Sequence, residues 1–240
     1  MGQLGLQLLA ALLGLCLSAL VAPVVAPLWP VTVAIGFIGA TLATLLDQPR
    51  WWRLIHLGFA PLVVLATTLD LPPNLYLGLA LLLFLFFRGA ATFQVPLYLS
   101  NRTTARALSA LLEGKEARFI DLGAGIGSVV RPVCRACPNA TVTGVEYAPG
   151  TWLVGRLLTL GRPRLNWSYG DLFKTDLRDF DVVYAFLSPA PMPALWQKVV
   201  AELRPGALFI SNSFEVPGVL PTMVIQLDDR RATRLYGYRR

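Results

Sequence analysis

The sequence predicts an all-α apolar region followed by an α/β domain with a mostly parallel sheet. Only five charged residues fall within residues 1–100, although the chain of 240 residues holds 21 basic and 14 acidic ones. From residue 93 onward, short β-rich runs alternate with helical segments, a pattern typical of βαβ units. We therefore expect two domains, 1–92 and 93–240. The first contains four long apolar stretches: 4–22, 28–46, 54–70 and 74–92.

The apolar region is predicted to form about four transmembrane helices, because each stretch is close to the ~20 residues that a helix needs to span a bilayer. The third stretch contains His56 and Pro61, and the fourth contains Arg88. The fourth stretch is long enough to span only if Arg88 reaches the lipid headgroups, so two helices with a re-entrant pair are an alternative. Arginines follow the second and fourth stretches but not the first and third. The positive-inside rule then places both termini in the cytoplasm. We expect a multi-pass protein of the bacterial inner membrane, with the mitochondrial inner membrane as the alternative.

Composition and charge narrow the function classes. A hydrophobic content of 55% with 15% charged residues excludes a disordered or fibrous protein. Cys134 and Cys137 form a single C-x-x-C with no second pair nearby, so no metal site is predicted. Residues 101–240 carry a net charge of +6, which suits an anionic lipid bilayer as partner. The basic residues are scattered except at the C-terminus, so no nucleic-acid partner is predicted.

Hydrophobic patterning defines the elements of the second domain. Seven strands are predicted, at 117–122, 141–146, 165–169, 181–187, 207–212, 223–227 and 233–238. Four helices are predicted, at 103–112, 128–137, 150–159 and 193–202. The last two strands are joined by a link too short for a parallel crossover, so we expect them to form an antiparallel hairpin.

The most informative stretch is the end of the first predicted strand, where Asp121 precedes Gly123, Gly125 and Gly127. Glycines in a strand-to-helix turn let the backbone approach a ligand closely, beside the unpaired N–H groups of a helix N-terminus. The dinucleotide fingerprint G-x-G-x-x-G would require glycine at Ser128. The acid before the first glycine would repel a pyrophosphate but attract an ammonium group. The combination favours S-adenosylmethionine over NAD as cofactor.

Two further acids follow predicted strands. Glu146 ends the second strand, where a carboxylate can accept hydrogen bonds from both hydroxyls of a ribose. Asp171 follows the third strand, where it could accept a hydrogen bond from the amine of adenine. Open α/β sheets bind ligands at the carboxyl ends of their strands. Three acids in register at that edge therefore indicate one cofactor site.

Motifs beyond the glycine turn carry a resemblance to a known family. They are Val95-Pro96-Leu97-Tyr98, Trp152-Leu153-Val154, Asp171-Leu172-Phe173-Lys174, Phe186 to Met192, and Phe214 to Pro217. With them, residues 93–218 resemble the class I, seven-strand S-adenosylmethionine-dependent methyltransferases. More specifically, they resemble the membrane-anchored family of ATP synthase c-subunit and adenine nucleotide translocase lysine N-methyltransferases. Two positions depart from that family's pattern: Ile126 replaces an acid, and the loop 187–191 lacks a glutamine.

The resemblance implies a Rossmann-like seven-strand methyltransferase sheet with a C-terminal antiparallel hairpin, whose last strand lies beside the fifth. It also implies the cofactor contacts. Pro96 and Tyr98 would cover the bound cofactor, Asp121, Gly123, Gly125 and Gly127 would line the methionine end, Glu146 the ribose, and Asp171 and Leu172 the adenine.

The expected function is therefore methyl transfer to a membrane-associated acceptor, most readily a protein lysine. A lipid or isoprenoid-quinone acceptor is one alternative, and a non-catalytic membrane scaffold that binds S-adenosylmethionine is another. The loop 186–192 contains no acid or histidine to act as a general base. Ser188 and Tyr184 are the remaining candidates for a catalytic side chain.

Overall fold

The computed structural model describes residues 28–46, 48, 50–69, 71–93 and 98–240. The first predicted apolar stretch and the predicted cofactor contact Pro96 lie outside these residues. The chain divides into two compact units between Leu77 and Gly78. Seven helices occur in the described part: α1 (Leu28–Leu45), α2 (Arg50–Thr68), α3 (Pro73–Phe93), α4 (Arg102–Leu112), α5 (Val130–Ala136), α6 (Pro149–Thr159) and α7 (Met192–Glu202).

In the N-terminal unit, α1 and α2 pack closely against each other. A Cβ atom at Gly36 would lie 2.7 Å from the carbonyl oxygen of Leu57, and one at Gly39 would lie 3.1 Å from Cβ of His56. Small residues at these positions allow the two backbones to approach. His56 is only 2% exposed, and burial lowers its pKa. The histidine is therefore a packed residue of the helix pair.

The prediction of transmembrane helices is wrong for the described residues. No helix in the described part of the chain is both long and apolar enough to cross a membrane. The helix α1 has 18 residues, the short end of the spanning range, and includes three threonines. The helix α2 contains two arginines, His56 and an internal proline, Pro61. The bilayer predicted as a partner has no support in this part of the chain, and the predicted cytoplasmic location stays a prediction.

The C-terminal unit contains a seven-stranded mixed sheet. Its strands are β1 (Arg118–Leu122), β2 (Thr141–Glu146), β3 (Leu165–Tyr169), β4 (Val182–Ala185), β5 (Leu208–Asn212), β6 (Met223–Gln226) and β7 (Arg234–Arg239). Their spatial order is β3-β2-β1-β4-β5-β7-β6. Strands β1 to β5 pair in parallel, and β7 runs antiparallel to both β5 and β6. The predicted strands and helices of this unit are all present, with bounds that differ by at most two residues.

Helices cover both faces of the sheet, so the core has two halves. On one face, Leu108 of α4 and Val133 of α5 pack in one cluster with Phe119 of β1. On the other face, Leu195 of α7 packs with Phe209 of β5. The chain leaves β1 toward β2 on one side and reaches β4 on the other. Ligands of open α/β sheets bind at such a reversal, outside the carboxyl ends of the strands.

Candidate functional site

The turn after β1 lies at the point where the strand order reverses. Gly123, Gly125 and Gly127 have φ angles of +84°, +59° and +81°. Only glycine adopts these angles without strain, which explains why three glycines alternate here. The backbone N–H groups of Gly123 and Ala124 both donate to the carbonyl oxygen of Val145 at 2.9 Å. The glycine turn is therefore held against the end of β2.

Two buried acids flank this turn. Asp121 is 3% exposed and Glu146 is 8% exposed. Oε2 of Glu146 accepts a hydrogen bond from the N–H of Gly125, and Oε1 accepts one from the N–H of Ala148, both at 2.8 Å. Burial, and secondarily the charge of Glu146, raise the pKa of Asp121 well above its ordinary value. Burial also raises the pKa of Glu146, although its backbone hydrogen bonds oppose the shift. A positively charged ligand would stabilise the ionised form of both carboxyl groups, which burial disfavours.

A network of hydrogen bonds surrounds Tyr184 on β4. Its hydroxyl accepts a hydrogen bond from Nδ2 of Asn212 at 2.7 Å and lies 2.7 Å from Oγ of Ser100. Tyr184 pairs in register with Asp121. Burial, and then the charge of Asp121, raise the pKa of Tyr184 above its ordinary value, so the phenol stays protonated at neutral pH. The predicted catalytic role of Tyr184 stays a prediction, because its contacts with Ser100 and Asn212 also fit a residue that only positions the strand ends.

Sequence reasoning missed Ser100 and Asn212. A signal for Asn212 was present, since it ends β5 in the same way that Glu146 ends β2. No comparable signal exists for Ser100, which reaches Tyr184 only through the fold. Its neighbour Asn101 caps α4 by accepting the N–H of Thr104 at 2.8 Å.

Asp171 follows β3 at the same edge of the sheet as Glu146. Its Oδ1 accepts a hydrogen bond from the N–H of Phe173 at 2.8 Å, which shapes the turn after the strand. Leu172 is 4% exposed and packs into the core beside Val145. The predicted contacts of Asp171 and Leu172 with adenine stay predictions.

Three half-buried rings lie beyond the ends of β4 and β5, and we name them the aromatic group: Tyr98, Phe186 and Phe214. Tyr98 stacks on Phe186 with ring centroids 4.8 Å apart and 18° between the planes. Its centroid lies 5.9 Å from that of Phe214. Ser188, on the same loop as Phe186, is buried. The aromatic group adds an apolar surface beside the acids, while the predicted role of Tyr98 over a cofactor stays a prediction.

The C-terminal end of α3 contacts the loops that follow β2 and β3. The guanidinium of Arg88 lies 4.6 Å from the ring centroid of Tyr147, and Nη1 donates to the hydroxyl of Tyr169 at 3.1 Å. Oγ1 of Thr151 donates to the carbonyl oxygen of Phe86 at 3.2 Å. The transmembrane prediction places Arg88 at the lipid headgroups, but Arg88 contacts Tyr147, which follows Glu146 in the sequence, and Tyr169, which pairs with Glu146 in the sheet. The charged residue therefore has a packing partner inside this unit.

The comparisons with known proteins match this part of the chain. A sequence model of the ANTKMT methyltransferase domain matches residues 121–223, which begin at Asp121 and include Glu146 and Asp171. The matched residues are therefore similar to the ANTKMT methyltransferase domain. The resemblance predicted from the sequence is thereby confirmed. Adenine nucleotide translocase lysine N-methyltransferase of Mus musculus is 34% identical to the chain over 146 residues. That alignment covers 58% of this chain and 62% of the relative, so the chain spans less than two thirds of its length.

The fold of the C-terminal unit also has a counterpart among solved structures. An RNA methyltransferase from Salinibacter ruber, in complex with S-adenosyl-L-homocysteine, is similar with a TM-score of 0.53. The two share 22% sequence identity, and the alignment covers 59% of this chain and 93% of that one. At this level of identity the likeness concerns the fold alone.

Proposed function

We propose that this protein is an S-adenosylmethionine-dependent methyltransferase whose acceptor is a lysine side chain of a protein. The observation that carries the proposal is the pair of buried acids, Asp121 and Glu146, on either side of a turn that only glycines can form. S-adenosylmethionine brings a positive sulfonium and a positive ammonium, and the raised pKa values of both acids fit a cationic ligand. The match to the ANTKMT methyltransferase domain supports the same cofactor.

The side chains present fit each part of that cofactor. Asp121 would attract the ammonium group at the glycine turn. The carboxylate of Glu146 accepts the backbone N–H groups of Gly125 and Ala148 and interacts with that of Tyr147, while its two oxygens offer about four acceptor positions. Glu146 can therefore accept a ribose hydroxyl without releasing the turn. Asp171 lies at the adjacent strand end for the adenine. When bound, S-adenosylmethionine supplies a methyl group activated by its positively charged sulfur, and the protein contributes mainly proximity and orientation.

The identity of the acceptor is supported by two independent observations. The curated relative is a lysine N-methyltransferase. In addition, the aromatic group offers ring faces and apolar surface, which suit a cationic head on an aliphatic stem. Contact with apolar surface lowers the pKa of an amine, so a lysine held there loses its proton more readily. Tyr184 stays protonated and is suited to holding the strand ends in place.

Transfer of labelled methyl groups tests the function directly. The purified full chain is incubated with methyl-labelled S-adenosylmethionine and a cell extract freed of small molecules. We expect label in the protein fraction, recovered as N-methyl-lysine after acid hydrolysis. Label confined to the organic-solvent extract would instead indicate a lipid or quinone acceptor. Cofactor binding without transfer to any fraction would indicate the non-catalytic alternative.

Replacement of Phe214 by leucine tests the role of the aromatic group. We expect Phe214→Leu to raise the KM for the protein acceptor about threefold to tenfold, because a ring face for the lysine is lost. The Kd for S-adenosylmethionine is expected to stay unchanged. Initial rates against acceptor concentration and a calorimetric titration of the cofactor measure the two quantities.

Phe180→Leu is the matched control, since Phe180 precedes β4 at the opposite, amino end of the strand. This control should leave the KM for the acceptor unchanged. An unchanged KM in Phe214→Leu would remove the aromatic group from acceptor binding.

A further inference from the structure

An open groove with a volume of about 720 Å³ runs between α4 and α5. Five arginines line this arginine groove: Arg102 and Arg106 from α4, Arg131 and Arg135 from α5, and Arg162 from the turn before β3. The one acid among its lining residues is Glu113. The groove thus concentrates positive charge on one side of the domain.

No arginine of the groove forms an ion pair within the described part of the chain. The ion pairs found there involve Arg118, Arg178, Lys198 and Arg204, none of which lines the groove. Arg131 is held in place, because its Nε donates to the carbonyl oxygen of Gly127 at 3.0 Å. A cleft lined by charges of one sign focuses the field and attracts ligands of opposite charge. The arginine groove is therefore suited to binding an anion.

Shape and lining indicate which kind of anion the groove accepts. Its apolar lining consists of small side chains: Ala105, Ala110, Pro132 and Ala136. Binding sites for single-stranded nucleic acid combine basic residues with aromatic side chains that stack on the bases, and the described residues that line this groove include no aromatic one. Arginine forks match carboxylates in bidentate pairs. The stretch from Arg102 to Glu113 is about 17 Å long as a helix, the length of about five extended peptide residues.

The arginine groove has a lining residue next in sequence to the candidate cofactor site. Ser128, one of its lining residues, directly follows Gly127 of the glycine turn. At the start of α4, Ser100 lies two residues before Arg102 and contacts Tyr184. An occupant that contacts Ser128 would thus lie next to the glycine turn.

We propose that the arginine groove binds an acidic segment, rich in Asp or Glu, of the protein that accepts the methyl group. This inference rests on the proposed function. It assigns the acceptor a second anchoring point besides its lysine, and it explains why five arginines converge here without an ion pair among the residues that the structure describes.

Binding of a fluorescein-labelled decaglutamate peptide to the purified full chain tests the proposal. Fluorescence anisotropy should show binding that weakens as salt is added. The double variant Arg106→Glu/Arg135→Glu should weaken it at least about tenfold, since it reverses two groove charges. The control Arg156→Glu/Arg230→Glu changes the net charge equally at exposed positions outside the groove, and should stay within about twofold of the parent. Both variants should bind S-adenosylmethionine as the parent does, which verifies their fold.

Several outcomes would overturn the proposal. Equal weakening in both double variants would show attraction by net charge alone. Tighter binding of an oligouridylate of equal charge, or of anionic phospholipid vesicles, would assign the groove to RNA or to a lipid surface. Methyl transfer to protein without any peptide binding would contradict the proposed role of the arginine groove and leave the proposed function intact. Peptide binding at the groove without methyl transfer to protein would contradict the proposed function and, with it, the assignment of the bound segment to a methyl acceptor.

Discussion

Asp121→Asn is expected to weaken S-adenosylmethionine binding at least about tenfold and, at neutral pH, to raise the thermal stability of the ligand-free protein. The loss of affinity follows from removing the buried carboxylate that would face the ammonium group. The gain in stability follows from removing a carboxyl whose ionisation is opposed by burial and by Glu146. Calorimetric titration of the cofactor and thermal unfolding measure the two effects.

The pH dependence of stability provides a second signature at Asp121. Its pKa in the folded protein lies above the ordinary value of 3.8, so the folded state keeps a proton that the unfolded chain has already released. Stability therefore falls as pH rises from the ordinary pKa to the raised one. In Asp121→Asn, stability should no longer fall with pH through the titration of this carboxyl. Unfolding midpoints of parent and variant, measured from about pH 4 to about pH 8, show the difference.

Affinity for the cationic cofactor should change in the opposite direction. Binding favours the carboxylate form of Asp121, so the affinity of the parent protein rises with pH over the same interval. The exposed Asp228→Asn serves as control and should alter neither quantity. Unchanged cofactor affinity in Asp121→Asn would contradict the placement of the methionine end at this acid.

Gly155→Ala is expected to destabilise the C-terminal unit by about 1–3 kcal/mol or more through overpacking. A Cβ atom at Gly155 of α6 would lie 2.0 Å from Cζ2 of Trp167 on β3. The indole cannot move away easily. On its other side, a Cβ atom at Gly144 would lie 2.6 Å from its Cζ3, and its Nε1 donates to the carbonyl oxygen of Trp152 at 2.9 Å. Urea unfolding measures the free energy of unfolding.

Two comparisons isolate the packing effect at Gly155. Gly78 lies in α3, where an added Cβ atom would meet no described atom within 4 Å, so Gly78→Ala should stabilise by up to about 1 kcal/mol through helix propensity. In a Trp167→Leu background, Gly155→Ala should destabilise the protein less than in the parent, because the colliding ring is gone. Equal destabilisation with and without the indole would exclude this contact as the cause.

Local sequence order is enough to predict part of the candidate site. Asp121, the glycine turn and Glu146 occur at strand ends, where alternation of apolar residues and turn residues locates them within one or two positions. Parallel strands place their carboxyl ends at one edge, so pairing alone brings these groups together. The apolar helices show where local order misleads. Their length and apolar runs predict membrane spans, but threonines interrupt α1, and arginines and a proline interrupt α2.

Contacts between distant residues depend on tertiary packing. Asn212 reaches Tyr184 because β5 lies beside β4, and Ser100 reaches it from the segment before α4. No single segment of the sequence encodes the strand order. The arginine groove likewise depends on how α4 and α5 are rotated against each other, since its arginines come from three separate stretches of the chain. Periodicity assigns residues to elements, whereas the burial of apolar faces sets how the elements pack, and packing decides which polar groups share a surface.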